Sequence, residues 1–372
     1  MEMHSLIGRV AGGVCVGIWT VLALFRGGFW RMRVRLKSGG PALGLSVTAV
    51  IPARDEIGTI GATVRSLRGQ ASRIIVADDE SSDGTGAAAL AAGAEVVRVA
   101  PLPTGWKGKL WAVASGIEAA GAGADYFLLT DADIEYVAPD FVRGLLAKAA
   151  EGFDLVSLMV RLRCESAAEK FLIPAFVFFF FMLYPPEWVC TGKGAAAAAG
   201  GCMLIRRGML QKIGGIAAIR SALIDDCALA AAVRRAGGRV WMGIAAADEV
   251  VSLRDYGRAA EIRAMISRSA FAQLRHSGWL LAGTVLGLVF TYVAPVLLLF
   301  SGDSMTAGLG LVAWLIGAVI FAPVVRMYRA PFWTVVCLPA IAGFYLVATV
   351  ESAVGYWRGE GGKWKGRVQD VR

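Results

Sequence analysis

Four long apolar segments near the two ends of the chain constrain its fold more than any other feature. A helix needs about 20 apolar residues to cross the hydrocarbon core of a bilayer, and runs of about this length lie at residues 6–25, 279–300, 305–325 and 332–354. Only Arg9 interrupts the first run, which lacks the upstream basic region and cleavage site of a secretory signal. We therefore predict an N-terminal transmembrane anchor within residues 1–30 and C-terminal transmembrane helices within residues 279–357.

The composition indicates a mixed protein rather than a purely membrane-embedded one. The chain is 56% hydrophobic and 18% charged, which is too apolar for a soluble protein and too charged for an all-membrane one. Between the apolar ends, short apolar runs alternate with polar turns, as in a globular α/β domain. We predict one such domain over residues 44–257, followed by a basic interfacial linker over residues 258–278 and, at the end of the chain, a basic tail over residues 358–372.

The net charge of +9 is concentrated beside the apolar segments. Basic residues cluster at 26–37, after the first segment, and at 254–275, before the second. Such flanks mark the cytoplasmic side and contact with anionic headgroups, and no DNA- or RNA-binding motif appears. We therefore expect a cytoplasmic domain and no nucleic-acid partner. Four simple crossings would place the basic tail outside; the alternative is that one of the last segments is re-entrant, and the sequence does not say which.

One further apolar segment, residues 171–186, lies inside the predicted domain. It is apolar on all sides but shorter than a membrane span, and prolines flank it. We prefer an interfacial or re-entrant segment. A buried core helix remains the alternative.

Alternating strand and helix patterns from residue 46 to residue 130 predict a mostly parallel sheet with right-handed crossovers. Ligands of such sheets bind beyond the carboxyl ends of the strands, and three polar clusters lie there, beginning at Pro52, Asp78 and Asp131. No G-x-G-x-x-G follows the first strand, which argues against an NAD-dependent dehydrogenase.

Asp131 and Asp133 follow a buried strand and suit a hard cation. Mg²⁺ and Mn²⁺ take oxygen ligands and commonly share them with substrate phosphates. An isolated D-x-D is more often a solvated turn, but its position at a strand end favours a metal site here.

Two further segments have the chemistry of a nucleotide site. Lys109 lies in a glycine-containing basic turn that can meet a phosphate, although a solvated basic loop is nearly as plausible. The small side chains of residues 195–201 would allow close backbone approach to a ligand at Gly201. A carboxylate at Asp78 or Asp79 can accept the N3 proton of uracil, while Ser82 and Asp83 cap the next helix.

Six motifs follow one another along the chain: VTAVIPARDE, IIVADDESSDGT, GWKGK, LLTDAD, GGCMLIRR and LIDDCAL. In this order they resemble the motifs of glycosyltransferase family 2, whose members have a GT-A fold. The resemblance covers residues 46–243. The flanking apolar segments, together with GWKGKLWA and FLIPAFVFFFFMLYPPEW, resemble the hopanoid-associated glycosyltransferases of bacteria, which are related to ceramide glucosyltransferase.

The resemblance implies roles for the acidic clusters. Asp133 would be the metal ligand, with Asp131 contacting the ribose or the metal through water. Asp226 would be the general base. The family usually has Glu before that Asp, where this chain has Asp225, which leaves the role of that neighbour open. A purely structural alternative is that both acids cap a helix start.

The nucleoside pocket implied by the resemblance combines Asp79 or its neighbour Asp78 with the first cluster, namely Pro52, Ala53, Arg54 and Glu56. Processive relatives carry Q-x-x-R-W after the domain, where this chain has RSAFAQLR at residues 268–275. The departure favours addition of a single sugar. Arg263 or Arg268 would then contact the diphosphate, or each would only face lipid headgroups.

Together these features predict an inverting, metal-dependent enzyme of the bacterial cytoplasmic membrane. It would move one sugar from a nucleotide-diphosphate donor, expected to be a UDP-sugar, to a lipid hydroxyl of hopanoid type beside Phe176, Phe180 and Tyr184. The alternatives are a ceramide-like or polyprenyl-phosphate acceptor, or an inactive membrane scaffold that keeps only the fold. Retention of Asp79, Asp131, Asp133 and Asp226 disfavours the scaffold.

Overall fold

A computed structural model describes residues 2–245, 248–364 and 367–370. Its centre is an eight-stranded sheet with the strand order β1-β9-β7-β8-β5-β2-β3-β4. In chain order the strands are β1 (Arg35–Leu36), β2 (Val47–Ala53), β3 (Arg73–Asp78), β4 (Glu95–Arg98), β5 (Tyr126–Thr130), β6 (Ile134–Tyr136), β7 (Leu155–Met159), β8 (Cys202–Arg206), β9 (Val240–Ala245), β10 (Val250–Ser252), β11 (Gly361–Trp364) and β12 (Arg367–Asp370).

The predicted α/β class and mostly parallel sheet are confirmed. Strands β2, β3, β4 and β5 are mutually parallel where they pair, and β8 alone runs antiparallel to its neighbours β5 and β7. Strands β2 and β5 are buried along their whole length, which explains why their sequences are continuous apolar runs. The register pairs Ala53 with Asp78, so the polar clusters after β2 and β3 leave the sheet at one edge.

Helices cover both faces of the sheet and form the apolar ends of the chain. They are α1 (Glu2–Phe25), α2 (Ile60–Leu67), α3 (Thr85–Ala92), α4 (Gly108–Ala120), α5 (Phe141–Ala150), α6 (Ala167–Leu183), α7 (Pro186–Thr191), α8 (Arg207–Lys212), α9 (Asp225–Arg235), α10 (Ala259–Ser267), α11 (Ala270–Gln273), α12 (Gly278–Leu288), α13 (Ala294–Leu298), α14 (Ser304–Met327) and α15 (Leu338–Trp357). A π-helical turn, Val289–Val293, joins α12 to α13, and a 3-10 segment, Phe332–Cys337, precedes α15.

By length and composition, five helical segments of the described chain could cross a membrane: Met3–Phe25, Ala167–Thr191, Gly278–Leu298, Ser304–Met327 and Phe332–Trp357. The second corrects the sequence-based expectation that the segment at 171–186 is too short. Pro174 is accommodated inside α6, and Pro186 begins α7 instead of ending the helical segment, because proline is tolerated at the first position of a helix.

Helix α6 begins with a complete capping box and packs one face into the protein. The Ser166 hydroxyl accepts from the Glu169 backbone, and the Glu169 carboxylate accepts from the Ser166 backbone. Phe178 and Phe181 are fully buried, whereas Leu183 is 47% exposed. The placement of this segment at the bilayer interface stays a prediction.

The basic linker folds as α10 and α11, which lie between the domain and the apolar helices. Of the predicted basic tail at 358–372, residues 365, 366, 371 and 372 lie outside the described part of the chain, and so do residues 246 and 247 of the predicted domain.

Candidate active site

A cavity of about 490 Å³ lies at the carboxyl ends of β2 and β5. Its lining combines charged side chains from the sheet edge and the start of α9 with side chains from α6 and α10. The residues that line it include Pro52, Glu56, Lys109, Asp131, Asp133, Phe176, Phe180, Gly201, Asp225, Asp226, Ser252, Arg254 and Arg268. Acids from three separate sequence motifs therefore share one hollow with aromatic side chains.

Lys109 connects two of these acids. Its Nζ lies 2.8 Å from Oδ1 of Asp131 and 3.1 Å from Oδ2 of Asp225. Burial works to lower the pKa of Lys109, but the two carboxylates outweigh it and hold that pKa above its usual range. The ammonium group is therefore a permanent positive charge on the cavity wall.

Asp133 is held by residues more than a hundred positions away in sequence. The antiparallel pair β6–β10 places Ser252 opposite Ile134. The Ser252 hydroxyl then donates to Oδ2 of Asp133 at 2.7 Å, and Arg254 Nε lies 3.4 Å from the same oxygen.

Arg254 also contacts a second acid of the cavity, because its Nη2 is 2.7 Å from Oε1 of Glu56. Burial would lower the pKa of Arg254, but the charges of Asp133 and Glu56 raise it. Arg254 thus links the polar cluster after β2 with the D-x-D turn.

Asp225 and Asp226 form the first turn of α9, where the helix dipole favours a carboxylate. Oδ1 of Asp226 accepts from the Cys227 backbone at 2.6 Å. Burial and the adjacent Asp225 carboxylate raise the pKa of Asp226 to about 7. The helix-start role and a proton-accepting role are compatible, because Asp226 also lines the cavity.

The pair Asp131 and Asp133 fits a divalent cation by the chemistry of its donors. Both offer carboxylate oxygens to the same cavity, and hard cations such as Mg²⁺ and Mn²⁺ select oxygen ligands. Within the described ranges, no group of three or more His, Cys, Asp and Glu side chains suited to a metal ion occurs. A cation held by this pair would take its other ligands from substrate phosphates and water.

The remaining predicted nucleoside residues lie beside the cavity rather than on its lining. Arg54 Nη1 donates to the Asp79 backbone carbonyl at 2.8 Å and lies 3.3 Å from the Asp79 carboxylate. Asp78 accepts from the Ser81 backbone at 3.0 Å, and Ala53 is buried in β2. Asp83 accepts from the Thr85 backbone at 2.9 Å, but the N-cap position of α3 is Gly84 and has no side-chain cap hydrogen bond.

The structure separates the predicted acceptor and diphosphate residues into two groups. Phe176, Phe180 and Arg268 line the cavity. Tyr184 does not, and its hydroxyl accepts a hydrogen bond from Gln273 on α11. Arg263 is directed away, with Nε 3.5 Å from Oε2 of Glu351 on α15. Arg263 therefore faces α15 rather than the cavity in this structure, and its contact with the diphosphate stays a prediction.

Sequence reasoning missed Ser252 and Arg254 as site residues and treated Arg254 only as part of a basic flank. The sequence does contain a signal for Arg254, because this charged residue follows the short strand Val250–Ser252 closely. Ligands of α/β sheets bind beyond strand ends.

The comparisons with known proteins concern the sequence family and the fold. The sequence profile of Glycosyl transferase family 2 matches residues 48–214, which contain β2 to β5 and the D-x-D turn. No curated protein sequence matches the chain significantly.

Among solved structures, one glycosyltransferase is similar in fold over nearly the whole chain, and a second aligns less closely. A mannosyltransferase from Pyrobaculum calidifontis, solved with GDP-Man and Mn²⁺, is 16% identical, with 93% of this chain and 99% of that chain covered and a TM-score of 0.58. A glucosyl-3-phosphoglycerate synthase from Mycobacterium tuberculosis, solved with Mn²⁺ and UDP-glucose, is 20% identical, with 66% and 86% covered and a TM-score of 0.45. The chain thus has a GT-A-like sheet, and its residues 48–214 match glycosyltransferase family 2.

Proposed function

We propose that this glycosyltransferase transfers a single sugar from a nucleotide-diphosphate donor to a hydroxyl group of a membrane lipid, with inversion at the anomeric carbon. Transfer of a sugar from a nucleotide-sugar donor is the coarse reaction that the match to glycosyltransferase family 2 supports. The finer assignment, a UDP-sugar donor and a hopanoid-type acceptor, rests on the motifs and on the cavity.

A single observation carries the proposal. Asp226, the pair Asp131 and Asp133, and the aromatic side chains Phe176 and Phe180 line the same cavity. A site with only acids and cations would suit a polar acceptor, whereas aromatic side chains from an apolar helix suit a lipid. This shared lining supports a site in which a donor diphosphate and an apolar acceptor would both lie near a group that can accept a proton.

The reaction assigns a separate role to each part of the cavity. The acceptor oxygen attacks the anomeric carbon, its bond to that carbon forms, and the bond from the carbon to the diphosphate oxygen breaks. The proton of the acceptor hydroxyl passes to the Asp226 carboxylate, a step that typically contributes about 10² to 10⁴-fold in rate. Lys109 keeps Asp131 and Asp225 in place at the donor side of the cavity.

A divalent cation held by Asp131 and Asp133 would supply positive charge to the departing diphosphate. Pro52, Glu56 and Gly201 line the cavity near these acids and would contact the nucleoside and the sugar. Of the two arginines predicted to contact the diphosphate, Arg268 at the end of α10 lines the cavity.

We further propose that the protein resides in the bacterial cytoplasmic membrane with its catalytic domain in the cytoplasm. Nucleotide sugars are made in that compartment, and the basic flanks at 26–37 and 254–275 follow the positive-inside bias.

The test is lipid mass spectrometry of cells with the intact gene, without it, and with Asp226→Asn. The expected result is one lipid class that carries an added hexose or N-acetylhexosamine mass only with the intact gene. Loss of a glycosylated polyprenyl phosphate instead would identify that competing acceptor. An unchanged lipid profile in all three strains, together with no binding of UDP or GDP to the purified protein, would reject the proposal and favour the inactive scaffold.

A further inference from the structure

We infer that the last apolar segment, Phe332–Trp357, does not cross the membrane but enters and leaves the bilayer on the side of the catalytic domain. The chain would then cross three times, through α1, through α12 with α13, and through α14. The inference concerns how the protein contacts its lipid bilayer and does not depend on the proposed reaction.

The orientation of α14 provides the reference direction. Helices α1 and α14 contact each other in the same order along their lengths. Gly8 near the start of α1 lies against Thr306 near the start of α14, and Trp19 further along α1 lies against Gly317 further along α14. Helices α1 and α14 are therefore parallel. Arg9 and Asp303, near their two starts, form an ion pair at 2.9 Å.

Both helices end beside the catalytic domain. After α1, Arg26 Nε donates to the Met182 carbonyl of α6 at 2.9 Å. After α14, the Tyr328 hydroxyl accepts from the Leu162 backbone at 3.3 Å, and Arg329 lies 3.0 Å from Asp248. The segment Phe332–Trp357 therefore begins on the domain side.

The same segment also ends on the domain side. Glu351 pairs with Arg263 of α10, and the Ser352 hydroxyl accepts from the Phe271 backbone of α11 at 3.0 Å. Tyr356 stacks on His276 with ring centroids 4.1 Å apart. His276 directly precedes α12, the helix that leaves the domain.

Between these ends the chain reverses direction. The Trp333 ring contacts the Phe171 ring of α6, with 6.2 Å between the ring centroids. The Tyr345 hydroxyl donates to the backbone carbonyl of Leu172, which follows Phe171 in α6, at 2.9 Å. In a straight helix, residues 333 and 345 would be about 18 Å apart along the axis. Contact of both residues with adjacent positions of α6 favours a segment that folds back over one that runs straight.

The deepest part of the segment is protected as backbone inside a bilayer must be. Trp314, near the middle of α14, donates from Nε1 to the Val336 carbonyl at 2.9 Å. The Pro331 carbonyl accepts from the Thr334 hydroxyl at 2.8 Å. Thr334, Val335 and Leu338 are buried in the protein. Irregular backbone is tolerated at membrane depth only where the protein satisfies its polar groups in this way.

Helix α6 likewise does not cross the membrane in this arrangement, because both of its ends contact elements on the domain side. Glu169, at its start, accepts from the Tyr256 backbone at 2.9 Å, and Arg26 binds the carbonyls at its other end. Five apolar helical segments thus yield three crossings. The three-crossing arrangement returns the basic C-terminal end to the side of the other basic flanks, which resolves the charge conflict of a four-crossing topology.

The test is labelling of single added cysteines with a membrane-impermeant maleimide in right-side-out spheroplasts that produce the full chain. The variants are Ser301→Cys in the loop between α13 and α14, Glu118→Cys on the domain, and Glu360→Cys after α15; all three positions are exposed. The unsubstituted protein, with its six native cysteines, gives the background. Each variant is also labelled after lysis, which shows that its thiol can react.

We expect Ser301→Cys to label in intact spheroplasts, and Glu118→Cys and Glu360→Cys only after lysis. Labelling of both Ser301→Cys and Glu360→Cys in intact spheroplasts would overturn the inference, because it requires a fourth crossing. If Glu118→Cys and Glu360→Cys label together from outside while Ser301→Cys does not, the re-entrant segment stands and only the cytoplasmic placement of the domain fails. A C-terminal fusion to a fluorescent protein that folds only in the cytoplasm provides a second readout and is expected to fluoresce.

Discussion

Lys109 Nζ lies 2.8 Å from Oδ1 of Asp131, so the start of α4 is tied to the end of β5 across the cavity. The same ammonium group reaches Asp225 at the start of α9. Three elements that are distant in sequence are therefore held around one point by a single side chain. Because buried carboxylates without a counter-charge repel one another, this contact keeps the acids close together.

Replacing Lys109 should damage both donor binding and proton transfer. We expect Lys109→Met to lower kcat/KM by at least about tenfold, because a hydrogen bond to a charged group contributes about 1.5 to 3 kcal/mol. The positive charge of Lys109 also lowers the pKa of Asp226, so the acidic limb of the pH profile should move to higher pH. Lys212→Gln, at an exposed position on α8, is the matched control. A variant with unchanged kcat/KM and pH profile would show that the contact is dispensable.

Asp226→Asn should abolish turnover while donor affinity is preserved. The amide cannot accept the proton of the acceptor hydroxyl, and we expect kcat to fall by about 10² to 10⁴-fold. Binding of UDP with Mn²⁺, measured by calorimetry, should stay within about twofold of the parent. Asp225→Asn is the comparison, because Asp225 is paired with Lys109. If Asp225→Asn loses turnover and Asp226→Asn keeps it, the base is Asp225.

Activity should increase with pH through the neutral range. Burial and Asp225 raise the pKa of Asp226 to about 7, and only the ionised carboxylate can accept a proton. The logarithm of kcat/KM should therefore rise with a slope of one below about pH 7 and level off above it. In Asp225→Asn the removed charge no longer raises that pKa, so the rise should move to lower pH. A flat profile from pH 5 to pH 8 in the parent enzyme would exclude Asp226 as the group that must ionise.

Asp133 should be required for the effect of the metal on nucleotide binding. We expect UDP with Mn²⁺ to raise the Tm of the detergent-solubilised protein and UDP with EDTA to raise it less, because a ligand that binds the folded state stabilises it. In Asp133→Asn the two values should become equal. Glu118→Gln, an exposed acid on α4, should behave as the parent. A normal Mn²⁺-dependent shift in Asp133→Asn would remove Asp133 from the metal site.

Phe176 should affect the acceptor and not the donor. We expect Phe176→Ser to raise the KM for a lipid acceptor by about tenfold or more, since burying a phenylalanine side chain contributes roughly 1.5 to 3 kcal/mol. The KM for the donor should change by less than about twofold. Leu183→Ser, on the same helix but off the cavity lining and 47% exposed, is the control. An equal effect of both substitutions on both substrates would indicate general damage to α6.

Strand-end chemistry is the part of the site that the sequence predicts best. The motifs alone indicate Asp131, Asp133 and Asp226 as site residues, and all three line one cavity. Asp131 and Asp133 meet the residues that follow β2 because parallel strands present their carboxyl ends at one edge. Asp226 instead reaches the cavity from the first turn of α9. The roles of Asp79 and Arg54 are less direct, since the two bind each other beside the cavity.

The sequence by itself determined the class of domain, the order of its motifs and the length of each apolar segment, because these depend on local periodicity and residue type. Only the tertiary structure decided which charges meet. Arg254 reaches Asp133 because β10 pairs with β6, and Arg263 turns to Glu351 on α15. It also carries the inference that the last apolar segment folds back, since segment length records how far a helix could extend while long-range contacts set its direction.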